Sequence, residues 1–97
     1  MNSKNEVLLS LRDLKEEIQA RFKVKELGLF GSVMRSEQGQ NSDIDVLVDF
    51  REDASLFDLV GLALFLEERL KRKVDVVSKR ALRAEIREAV LREVAAV

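Results

Sequence analysis

Three stretches of the chain carry residues that could do chemistry. Asp43 and Asp45 stand one residue apart at the head of an apolar run, Asp43-Ile44-Asp45-Val46-Leu47-Val48. Asp75 interrupts a second apolar run, Val74-Asp75-Val76-Val77, and Gly31-Ser32 ends a third, Leu27 to Phe30. Side chains alternate along a strand, so Asp43 and Asp45 are expected on one face, with Ile44, Val46 and Val48 on the other. Like charges side by side on a half-buried strand are costly unless a cation lies between them. The chain has no Cys and no His, so the ligands are hard oxygens, suited to Mg²⁺ or Mn²⁺ rather than zinc. A lone Asp within a buried strand has the same need, which makes Asp75 the candidate third ligand. A strand that ends in Gly-Ser before a short helical segment is a common way to offer backbone N–H groups to phosphate. Arg35, three residues beyond Ser32, can reach the same space. Phosphate on one wall and metal carboxylates on the other point to metal-dependent phosphoryl or nucleotidyl transfer.

The remaining composition narrows the options. The 97 residues suffice for a single domain, expected to span 1–97. Charged residues make up 36% of the chain, yet the net charge is -1, which argues against a dedicated nucleic-acid surface. Without His or Cys, acid–base work falls to carboxylates or a metal-bound oxygen, and thiolate catalysis is excluded. The absence of Cys fits a reducing compartment, and no apolar run approaches the length of a membrane span. A cytoplasmic chain is therefore expected.

These residues need a scaffold, and the patterning supplies one. Ser3 with Glu6 reads as a capping box for a first helix, in which Val7, Leu11, Leu14, Ile18 and Phe22 form one stripe. Strands are expected over 24–30, 44–50 and 74–77. One or two helical turns are expected over 32–38, followed by a polar loop at 39–42 in which Ser42 could orient a carboxylate. Asp49 shares the face of Asp45 but lies about 13 Å along the strand, too far for the same ion, and reads as an exposed strand-end charge. Ser55 with Asp58 should cap a helix ending near Leu70. Its apolar arc is unusually wide, and only Phe65 falls with the polar side. Either a second layer or another chain must cover it. A last helix is expected over 82–95, capped by Ser78, with an apolar face of Leu82, Ile86, Ala89, Val90 and Val94. The order is α-β-α-β-α-β-α, an α/β (α+β) fold with a small mixed sheet flanked by helices. Strands one and two should run antiparallel, and strands two and three parallel through a helical crossover. That arrangement gathers Gly31, Asp43 and Asp75 at one end of the sheet.

Gly31-Ser32, ten residues, then Asp43-Ile44-Asp45 resembles the signature of the DNA-polymerase-β-like nucleotidyltransferases. The short length and the following VLVDF resemble the minimal nucleotidyltransferase (MNT) domains, the antitoxin half of HEPN–MNT toxin–antitoxin pairs. The likeness extends through LFDLVGL and KVDVVSKRALR, while Val33-Met34-Arg35-Ser36 departs from the small residues the family often carries there. The resemblance implies a nucleotidyltransferase fold in which Asp43, Asp45 and Asp75 are catalytic and hold two Mg²⁺ ions. Gly31, Ser32 and Arg35 would bind ATP. It further implies an antitoxin that moves AMP from ATP to a tyrosine of a HEPN toxin ribonuclease and so neutralises it. Two other readings stay open: an antitoxin acting by contact alone, and a small-molecule nucleotidyltransferase working with a companion subunit.

Overall fold

The computed structural model describes residues 4–31 and 43–97. Helix α1 (Lys4–Phe22) leads into β1 (Val24–Phe30), and β2 (Ile44–Phe50) follows the undescribed segment. Then come α2 (Leu56–Leu70), β3 (Val74–Ser78), a 3₁₀ turn (Lys79–Ala81), α3 (Ala84–Glu93) and a two-residue strand β4 (Ala95–Ala96). The expected Ser3 cap and the helical turns at 32–38 lie outside the described residues.

The sheet order is β3-β2-β1-β4. β1 and β2 are antiparallel, and β2 and β3 are parallel, as the sequence led us to expect. The fourth strand was not expected. It pairs antiparallel with β1 through Gly28↔Ala96 and Leu29↔Ala95, and the Val97 N–H donates to the Leu27 carbonyl at 3.0 Å. The last helix therefore stops at Glu93 instead of continuing to residue 95. Alanine favours helix, but here the open edge of β1 offers backbone partners that outweigh local preference.

One face of the sheet carries the core. Ile44, Val46, Val48 and Phe50 alternate onto it with Val24 and Val74, where they meet Val7, Leu11, Ile18 and Phe22 of α1 and Leu62, Leu66 and Leu70 of α2. Leu11, Ile18, Leu29, Ile44, Leu62 and Leu66 are fully buried, each contributing on the order of 2 kcal/mol. α2 starts as the sequence predicts, with the Ser55 N–H donating to Asp58 Oδ2 at 2.8 Å. It ends at Lys71, a left-handed residue (φ 58°) whose N–H reaches the Glu67 carbonyl at 2.9 Å.

Two details of α2 differ from the helical-wheel reading. Phe65 does not lie on a polar side. Its ring packs 5.4 Å from that of Phe22, with the guanidinium groups of Arg21 and Arg69 over it. Gly61 leaves room for this, because a Cβ there would stand 3.1 Å from the Phe22 ring. The wide apolar arc is split: Leu62, Leu66 and Leu70 are inside, while Leu56 (74%), Phe57 (88%) and Leu64 (62%) lie open with Val60. Among the described residues, no second layer covers that outer row.

Helix α3 sits over the opposite face of the sheet, with Ile86, Ala89 and Val90, and Leu82 just before the helix, turned toward β2 and β3 across an open groove. None of its residues is fully buried. Ser78 precedes the 3₁₀ turn rather than capping α3, which starts after Arg83.

Candidate active site

The parallel β2–β3 ladder sets the site. Its register pairs Ile44 with Val74 and Asp45 with Asp75. Register partners on neighbouring strands are about 4.8 Å apart at the backbone and project to the same face. That face is the one opposite the core, so both carboxylates enter the groove beneath α3. The ladder is locked at its head by two bonds. The Ile44 N–H donates to the Lys73 carbonyl at 2.9 Å, and the Val74 N–H donates to Glu67 Oε2 at 3.1 Å. α2 thus fixes where β3 begins, and with it the position of Asp75.

Asp43 immediately precedes β2 and is exposed, Asp45 is half-buried and Asp75 is exposed. On the other side, antiparallel pairing brings Phe30 opposite Asp45. Gly31 follows at φ 82°, a conformation in which other residues are strained. A Cβ at this position would collide with Asp45 Oδ2, so a side chain here would drive the carboxylate out of place. The absence of a side chain is what allows the end of β1 and the Asp45 carboxylate to approach this closely.

The groove has a volume of about 420 Å³ and is walled by Gly31, Asp45 and Asp75 on the sheet and by Ile86, Val90 and Glu93 on α3. Ser32, Arg35 and Ser42 lie outside the described residues. Among the described residues, no group of three or more acidic side chains is gathered tightly enough to hold an ion as they now stand. The Asp45–Asp75 pair, with hard oxygen donors on one face and open space above them, fits a divalent cation that takes its remaining ligands from substrate and water.

Asp49 departs from expectation. It is half-buried rather than exposed, opposite Glu26 on β1 and lining a second hollow with Leu47, Lys79 and Val94. The strand β4 and the end of α3 cover that part of the sheet.

Glu93 was missed altogether. Its Oε1 accepts the Gly31 N–H at 2.7 Å. A signal for it existed: Glu93 continues the Ile86, Ala89, Val90 stripe at helical spacing, an acidic residue on a face that is otherwise apolar.

The nucleotidyltransferase domain family matches residues 11–97. This chain belongs to that family. It is 46% identical over 80 residues to the protein adenylyltransferase MntA of Thermococcus cleftensis, covering 82% of this chain and 81% of that protein. A solved structure assigned as a minimal nucleotidyltransferase superposes with a TM-score of 0.76 at 42% identity, covering 91% of this chain and 93% of that one. A toxin–antitoxin structure solved with AMP-PNP superposes with a TM-score of 0.70 at 26% identity, covering 98% and 72%. The mixed sheet and its flanking helices are thus a nucleotidyltransferase fold. Among the described residues, no helix is long and apolar enough to cross a membrane.

Proposed function

We propose that this chain is an MNT antitoxin and protein adenylyltransferase, which transfers AMP from ATP to a tyrosine of a cognate HEPN-type toxin and thereby neutralises it. The observation that carries the reading is the pairing of Asp45 with Asp75 in one groove, bordered by the glycine that ends β1. Asp43, Asp45 and Asp75 would hold Mg²⁺, with Ser32 and Arg35 on the triphosphate and the Gly31 turn shaping the groove beside it. When bound, the metal would screen the phosphate charge and stabilise the entering and leaving oxygens. Asp75, the more exposed of the paired carboxylates, would take the proton of the acceptor hydroxyl. The hydroxyl oxygen then bonds to the α-phosphorus, the bond to the β-phosphate oxygen breaks, and pyrophosphate leaves. The site is shallow and open, which suits an acceptor presented by another protein. The similarity to an MntA adenylyltransferase and to a toxin–antitoxin complex supports such a partner. The outer row of α2 (Leu56, Phe57, Val60, Leu64) is the surface on which we place it.

The exposed α2 row also favours a second reading, neutralisation by contact without transfer. One experiment separates the two: incubation with α-labelled ATP, Mg²⁺ and the HEPN-type partner, comparing wild type with Asp43→Ala/Asp45→Ala. Label on a partner tyrosine from wild type alone supports transfer. Neutralisation that persists in the double variant, with no label from either protein, supports contact alone.

A further inference from the structure

The donor that Gly31 would offer to phosphate is already engaged. Its N–H is held by Glu93 Oε1 at 2.7 Å, the short distance of a charge-assisted bond. Gly31 therefore serves the groove by its conformation and lack of a side chain, and its orientation depends on the last residue of α3. That residue is itself anchored. Directly after it, the chain turns into β4, which pairs with Gly28 and Leu29, immediately before Phe30 and Gly31. The Val94 N–H caps α3 on the Val90 carbonyl at 3.0 Å, and Lys15 Nζ donates to the Val97 carbonyl at 2.9 Å while pairing with Glu26 at 3.2 Å. The C-terminal segment is thus tied to the strand that carries the turn, and the Glu93 carboxylate reaches the turn itself.

We infer that Glu93 is a positioning residue for nucleotide binding: it fixes the Gly31 turn before ATP arrives, so that the groove meets the triphosphate preorganised. The inference rests on the nucleotidyltransferase reading of the groove. A carboxylate held at this N–H fixes the Gly31 backbone at the edge of the groove, and without it the donor and the positive-φ glycine are both released. The loss falls on ground-state assembly of the site, and the chemical step is spared once nucleotide is bound.

Glycine-selective ¹⁵N labelling gives a direct readout, because the chain has four glycines. In Glu93→Ala the Gly31 amide should exchange faster and shift, with Gly61 unchanged. A fluorescent ATP analogue with Mg²⁺ should bind about tenfold more weakly. In transfer assays the KM for ATP should rise by a similar factor while kcat at saturating ATP changes less than about threefold. Glu93→Gln, which keeps an oxygen acceptor, should recover most of each effect. A Gly31 amide that does not respond, with nucleotide binding intact, overturns the inference alone. Equal or tighter ATP binding by Glu93→Ala overturns it too, and would make the carboxylate a competitor of phosphate. A wild-type chain that binds no nucleotide overturns the reading of the groove, and the positioning role with it.

Discussion

The groove under α3 and the outer row of α2 are both open to solvent, yet they are built in opposite ways. In the groove, the polar groups are held by elements distant in sequence: Asp45 and Asp75 by a parallel ladder, Gly31 by the end of β1 and by the Glu93 side chain. On α2, Leu56, Phe57, Val60 and Leu64 stand exposed on a helix whose inner row is buried in the core. A site for chemistry needs fixed distances between groups contributed by different strands. A docking face needs apolar area on a rigid support and little else. The two regions should therefore fail separately, and substitutions can test whether they do.

The largest separation should come from Asp45→Asn. Removing one metal-type carboxylate should lower AMP transfer on the order of a thousandfold, measured with labelled ATP, while partner binding by calorimetry stays at the wild-type value. Next is Gly31→Ala, which combines a left-handed backbone with a collision against Asp45. It should cost about 3 kcal/mol in urea unfolding and remove most transfer. On the other side, Phe57→Glu should weaken partner binding about thirtyfold, some 2 kcal/mol, with the melting temperature and nucleotide binding unchanged. A Phe57→Glu chain that binds its partner normally would break the comparison. The smallest effect is that of Glu67→Ala, which frees the Val74 N–H at the head of β3. It should cost about 1 kcal/mol of stability and loosen the Asp45–Asp75 register, seen as faster amide exchange at Val74 and Asp75.

Much of this was legible in the chain. β1 and β2 fall on the expected boundaries: β2 by its alternation of apolar and acidic residues up to Arg51, and β1 by the apolar run that Gly31 ends. The crossover and the approach of Asp75 to Asp45 followed from a helix too long for a hairpin between two strands. What escaped reading depended on contacts distant in sequence. Ala95-Ala96 has no strand signal of its own and becomes β4 only because β1 has a free edge. Phe65 looked polar-sided until Phe22, across the helix pair, gave it a ring to pack on. Glu93 lies 62 residues from the glycine it holds, and no local pattern could link them. For α2, the sequence showed that something must cover the wide apolar arc. The structure shows that the inner row is covered by the core and that, among the described residues, nothing covers the outer row.

The central claim is that Asp45 and Asp75 share a divalent cation beside bound nucleotide. Anomalous diffraction from crystals grown with Mn²⁺ and a non-hydrolysable ATP analogue tests it directly. The account predicts a manganese peak about 2.1 Å from oxygens of both Asp45 and Asp75, with the triphosphate in the groove below α3. Metal and nucleotide bound elsewhere, or a metal that touches Asp45 while Asp75 stays clear of it, would contradict it.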